Sequence, residues 1–148
     1  MESRQSVNCG CCICETNHGP KPFIAKIMQE SRQNRNFRTA LWTGKQLQMT
    51  LMSIPAGCDI GAEMHTDTDQ FIRVEEGTAT VQFGECREKL SFRRCIGRGE
   101  GVFVPCGTWH NIINSGNCPL KLSSVYAPPH HPEGTVQCTK RDAEKKQR

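Results

Sequence analysis

No stretch of this chain approaches the roughly 20 consecutive apolar residues that a membrane helix needs; the uncharged stretch from Gln46 to Cys58 is short and diluted by Thr, Ser and Gln. The N-terminus, Met-Glu-Ser-Arg-Gln-Ser-Val-Asn, holds no apolar run that could act as a secretory signal. Membrane and secreted classes are therefore excluded as expectations. Broad basic charge is also missing. The net charge is +4, but Lys140, Arg141, Lys145, Lys146 and Arg148 crowd the last ten residues, against only Asp142 and Glu144 there. A nucleic-acid binder lays basic side chains across a folded face, often between aromatics. Here they lie on a terminus, which reads as a solvated tail. The ten cysteines are too few for a short disulfide scaffold, at about 7% against the usual 8–10%. Without a signal peptide they predict reduced thiols in a cytoplasmic protein. There is no internal repeat, and no linker between residues 39 and 126.

What is present fits one compact unit. A chain of 148 residues has the length of one ordinary domain, and such a domain buries roughly 70% of its unfolded surface. Hydrophobic residues at 36% and charged residues at 23% describe a globular chain, and thirteen Gly with eight Pro point to an all-β fold rich in turns. Residues 1–20 stand apart as a flexible Cys-rich leader holding Cys9, Cys11, Cys12, Cys14 and His18. Their spacing lacks the two-residue spacers of zinc ribbons or fingers. Phe23 to Met28 predict a helical turn or a first strand, and polar Gln29 to Asn36 a loop. Short strands follow at Leu47–Ile54, Phe71–Val74, Ala79–Phe83, Val102–Val104 and Ile112–Ile113, with a long last strand marked by Leu120, Leu122 and Tyr126. Residues 21–138 thus form the single domain. Residues 139–148 form a basic tail, in which Thr139 to Asp142 has the spacing of a capping box and predicts a short helix.

Two segments place polar residues where strands should be apolar. In the first, from Gly57 to Gly77, Glu63 and His65 are two apart, so an extended chain points both to one face. The polar turn Thr66–Asp69 then brings Gln70 back on a neighbouring strand, with Asp67 and Asp69 as turn-stabilising residues. In the second, the strand ending at Val104 meets Pro105 and Gly107, and re-emerges with His110 and Asn114. Cys106 sits inside that turn and reads as an inert thiol near a pocket mouth. Pro-flanked His130 and His131 read by default as surface residues, with a fold over the barrel rim as the alternative.

These segments resemble the two signature motifs of the cupin superfamily. Gly57 to Gly77 keeps every spacing of G-x5-H-x-H-x4-E-x6-G, and Gly99, Pro105, Gly107, His110 and Asn114 match all five positions of G-x5-P-x-G-x2-H-x3-N. A chance match to those five is on the order of 1 in 10,000 or rarer. The resemblance spans about residues 39–126 and implies a small double-stranded β-helix, or jelly-roll, barrel. Within the superfamily the chain is similar to small single-domain cupins of the mannose-6-phosphate isomerase-like type.

By this resemblance the metal ligands are Glu63, His65, Gln70 and His110. Glu63 replaces the usual first histidine and Gln70 the usual glutamate, so the formal ligand charge stays at one negative. Two imidazoles, one carboxylate and one amide oxygen suit one divalent Zn, Fe, Mn, Co or Ni. Trp109 and Tyr126 are expected to line or plug the barrel around a small-molecule ligand. In an isomerase the metal polarises a carbonyl and a hydroxyl while a base moves a proton between carbons. A phosphate would need a cationic anchor, yet Arg73 has the opposite parity to Gln70 and should face outward. An iron-dependent dioxygenase and a non-catalytic binding module are the alternatives. Small cupins usually pair through sheet edges, so a homodimer is expected.

Overall fold

The computed structural model describes residues 18–145, so the Cys9–Cys14 cluster lies outside the described residues. In chain order the elements are α1 (Ile27–Gln33), β1 (Arg38–Thr43), β2 (Gln48–Ile54), β3 (Asp69–Glu76), β4 (Thr78–Gly84), β5 (Phe92–Gly97), β6 (Gly101–Val104), β7 (Trp109–Asn114), β8 (Leu120–Ala127), β9 (Val136–Gln137) and α2 (Lys140–Lys145). A six-stranded sheet ordered β6-β3-β8-β2-β1-β9 and a three-stranded sheet ordered β5-β4-β7 make the jelly roll, with every strand pair antiparallel. The chain crosses between the sheets at Gly77, where φ is +97°. A Cβ there would come within 3.3 Å of Leu120 Cα, so both the backbone conformation and the space select glycine.

Strand periodicity grades the interior from apolar to polar. On β8, Leu120, Leu122, Ser124 and Tyr126 alternate onto one buried face. On β2 they pair with Ile54, Met52, Thr50 and Gln48. On β3, Val74, Ile72 and Gln70 stand opposite Leu122, Ser124 and Tyr126. One end of the barrel is therefore packed with Ile54, Val74, Val81, Ile112, Leu120 and Leu122, all buried. Each such side chain contributes roughly 1.5–3 kcal/mol by leaving water. The opposite end collects Gln48, Thr50, Gln70, Ser124 and Tyr126, and there the core becomes a site.

The helices revise one sequence expectation. The segment from Gln29 is helical through Gln33 where a loop was expected. It has no apolar stripe, because it buries only Ser31, and it is held where Lys121 Nζ donates to Asn34 O at 2.6 Å. The C-terminal helix forms as expected. Asp142 N donates to Thr139 Oγ1 at 3.2 Å and Thr139 N to Asp142 Oδ2 at 3.0 Å, completing the capping box. Asp142 is held below the ordinary carboxylate pKa chiefly by the Thr139 backbone amide.

Candidate metal centre

Glu63 and His110 are backbone partners. Glu63 N donates to His110 O at 2.9 Å and His110 N to Glu63 O at 3.0 Å, an isolated antiparallel bridge on the edge of β7 opposite its pairing with β4. Directly paired residues of antiparallel strands point to the same face. His65, two residues on, shares that face, and Gly107 N holds its carbonyl at 2.6 Å. The turn between them is closed by Asp69, whose Oδ1 accepts from Cys106 N at 2.9 Å. Asp69 has the structural role its position suggests.

Side chains converge accordingly. Glu63 Oε1 lies 3.5 Å from His65 Nε2 and 3.4 Å from His110 Nε2, and one ligand atom from each residue falls within 4.8 Å of the others. Donors about 2.1 Å from a shared metal stand roughly 3.0–3.4 Å apart in octahedral or tetrahedral geometry. All three atoms are buried without a hydrogen-bond partner, and so is Gln70 Oε1. Gln70 is oriented by its other end, since Nε2 donates to Ser124 Oγ at 2.8 Å and leaves the oxygen as the unsatisfied donor. His110 Nδ1 lies 2.9 Å from Thr108 O. A carbonyl accepts only from a protonated nitrogen, which leaves the Nε2 lone pair for the site. Four unsatisfied buried polar atoms are costly unless something completes them, and the donor set fits a divalent metal.

Electrostatics agree. Burial pushes the Glu63 carboxyl up, but the His110 and His65 side chains that face it outweigh burial and hold the group below its ordinary range. The other wall is Tyr126, fully buried, with its ring 5.8 Å from that of His65. Burial raises its pKa, so the phenol stays protonated at neutral pH.

Other residues fall differently from their sequence reading. His130 and His131 fold over the rim: His130 packs 4.2 Å from the His65 ring, and His131 Nε2 is 3.3 Å from the Tyr126 hydroxyl. Burial, then the nearby Arg38 charge, lowers the pKa of His131 to about 3, so its imidazole is neutral. His131 is half-buried and departs from the surface default, whereas His130 stays exposed as that default has it; both are placed by the turn after β8, in which the Gln48 side chain accepts from His130 N and His131 N. Trp109 is not brought to the site. It has the opposite parity to His110 on β7, and its ring packs under the Arg87 guanidinium at 5.3 Å. Cys106 is exposed in its turn, and Cys58, Cys86, Cys95, Cys106, Cys118 and Cys138 are free thiols. Arg73 pairs with Glu75 at 3.4 Å, away from the ligands, in keeping with its parity. Asn114 pins the second motif, its Nδ2 donating to Ile54 O at 2.9 Å and Cys118 O at 2.8 Å. Missed altogether was Arg38, buried on the inward face of β1 opposite Met52.

Against known proteins, the cupin domain family pattern matches residues 50–126. Uncharacterized protein YrkC of Bacillus subtilis is 54% identical over 127 residues, which is 86% of this chain and 68% of that one. The crystal structure of BH2720 from Bacillus halodurans superposes with a TM-score of 0.86 at 53% identity, covering 88% of this chain and 98% of that chain. Oxalate decarboxylase of Bacillus subtilis, a protein with Mn(II) centres, is similar in fold alone: its TM-score is 0.52 at 18% identity, over 62% of this chain and 24% of that one. No described helix is long and apolar enough to cross a membrane.

Proposed function

The chain belongs to the cupin domain family, and from that premise we propose that it is a metal-dependent cupin enzyme acting on a small oxygen-rich molecule. The observation that carries this reading is the set of four buried, unpartnered donors: Glu63 Oε1, His65 Nε2, Gln70 Oε1 and His110 Nε2. One divalent Zn, Fe, Mn, Co or Ni bound there supplies Lewis acidity to a carbonyl or hydroxyl oxygen of the ligand. Glu63 stays ionised and provides the only negative charge of the set. Thr108 O and Ser124 Oγ fix His110 and Gln70 so that their donor atoms face inward. Protonated Tyr126 and neutral His131 wall the ligand space and offer it hydrogen bonds, and His130 covers the mouth.

An isomerase of the sugar-phosphate type is the first reading of the chemistry. A second is favoured by the Glu63, His65, His110 group, because two imidazoles and one carboxylate on one face form the usual cradle of iron-dependent oxygenases. Titration with Co(II) of the full chain carrying Ser at Cys9, Cys11, Cys12 and Cys14, followed by visible absorption, tests the shared premise; bands that saturate at one equivalent and vanish when His65→Ala and His110→Ala are added support it, and unchanged bands in that variant refute it. Oxygen consumption that requires Fe(II) then selects the oxygenase. Anaerobic turnover with several ions selects the isomerase.

A further inference from the structure

Arg38 is 5% exposed, and among the described residues no carboxylate lies within 4.0 Å of its guanidinium. Its Nη1 donates to Gln137 Oε1 at 2.7 Å. The other edge is nearly bare. Nη2 has only the Met52 sulfur at 3.9 Å, and Nε is buried with no partner among the described residues. The Nε–H and one Nη2–H of a guanidinium are parallel donors, spaced to take both oxygens of a carboxylate. The Phe37 ring, whose centroid lies 5.4 Å from the guanidinium carbon, offsets part of the charge, but the Nε/Nη2 edge itself lacks the acceptors that a buried cation ordinarily requires.

Arg38 also borders a cavity of about 190 Å³ that reaches Glu63 and is roofed by Lys140 and Ala143 of α2. The cavity wall carries the cations Arg38, Arg87 and Lys140 beside the carboxylates of Glu63 and Glu144. Lys140 is paired with Asp59, whereas Arg87, a further lining residue, rests on Trp109 with no carboxylate partner among the described residues. Its volume falls below the roughly 300–1,000 Å³ of pockets for drug-sized ligands, so it suits a molecule of only a few heavy atoms.

We propose that Arg38 is the carboxylate anchor of this barrel, and that the ligand is a small organic acid whose carboxylate takes the Nε/Nη2 edge while its remaining oxygens face the Glu63 end of the cavity. The proposal extends the metal reading by naming the ligand class, and rests on that reading only for the far end of the acid. Arg38 thereby supplies the cationic anchor that Arg73 cannot.

Calorimetric titration with malonate of the full chain carrying Ser at Cys9, Cys11, Cys12 and Cys14, EDTA-treated and then Zn-loaded, tests this, with uncharged malonamide and inorganic phosphate alongside. Malonate is expected to bind both forms and malonamide neither. Arg38→Met should weaken malonate about 30-fold, the scale of one charged hydrogen-bonding group. Arg38→Lys, which keeps the charge but not the fork, should fall between. Zn affinity should stay within about twofold in both variants. Malonate affinity equal to wild type in a folded Arg38 variant overturns the proposal, and if Arg38→Met fails to fold by circular dichroism, Arg38→Lys decides in the same way. Phosphate binding tighter than malonate overturns the assignment to carboxylates. If Zn does not bind but malonate still depends on Arg38, the metal reading fails and the anchor stands; if Zn binds but malonate is indifferent to Arg38, the anchor fails and the metal reading stands.

Discussion

Replacing Glu63 by Gln should cost far more metal affinity than replacing Gln70 by Ala. The Glu63 side chain is 19% exposed and its Oε1 is 3.4–3.5 Å from both imidazole nitrogens, so the amide of Gln would keep an oxygen in place and remove only the charge. A carboxylate oxygen sits about 2.1 Å from a bound divalent ion. Even with the dielectric of bulk water, Coulomb attraction between one negative and two positive charges at that distance is about 4 kcal/mol, or about 1,000-fold in Kd. Partial burial makes this a floor. Gln70 contributes a neutral dipole, and its removal should cost about 1 kcal/mol, roughly five- to tenfold. Gln70→Glu adds a carboxylate that Ser124 Oγ can serve as a donor, and should tighten the metal. Competition titrations of Co(II) against a chromophoric chelator measure all three. A larger loss for Gln70→Ala than for Glu63→Gln would refute the division of roles.

Other parts of the structure give separate tests. Asn114→Ala leaves Ile54 O and Cys118 O without their donor in a buried position, and should cost about 2–4 kcal/mol in denaturant unfolding, with an unchanged transition as the contrary result. Gly77→Ala should cost about 1–3 kcal/mol, because the left-handed backbone and the 3.3 Å approach to Leu120 both oppose a Cβ; a neutral effect would show that the crossing between sheets relaxes freely. Asp59 ties α2 to the barrel through Lys140 and Asn111, and although burial raises its pKa, those bonds outweigh it and keep the folded value below 3.8. Its stabilisation is therefore present above about pH 4 and lost as pH falls through that lower folded value. After discounting for solvent screening it is worth about 1 kcal/mol. Melting curves of wild type and Asp59→Asn should differ at pH 6 and converge near pH 2, and a constant gap would contradict the assignment.

The fold was legible because glycines, prolines and histidines recur at fixed spacings along strands whose buried faces alternate. Gly57 to Gly77 and Gly99 to Asn114 fixed the barrel, and parity alone placed Glu63 and His65 together and Arg73 outside. What stayed hidden depends on partners distant in sequence. Strand β5 has four exposed residues out of six and only Ile96 buried, so it carries no alternation to read. Helix α1 is placed by polar Ser31 and by Asn34 against Lys121 rather than by an apolar stripe. The burial of His131 was hidden because its anchor, Gln48, is more than eighty residues away. Arg38 opens β1 as an ordinary charged residue, and only the pairing with β2 and β9 turns it inward. Ser124 was within reach, because the Leu120, Leu122, Tyr126 alternation already puts it on the buried face.

Metal content tests the central claim most directly. The full chain carrying Ser at Cys9, Cys11, Cys12 and Cys14, so that no leader thiol can hold an ion, would be purified without added metal and analysed for its elements. The donor set formed by Glu63, His65, Gln70 and His110 predicts about one equivalent of a first-row divalent metal per chain, and essentially none once His65→Ala and His110→Ala are added. Equal metal in the two proteins, or none in the first even after incubation with Zn, Mn, Fe(II), Co or Ni, would contradict it.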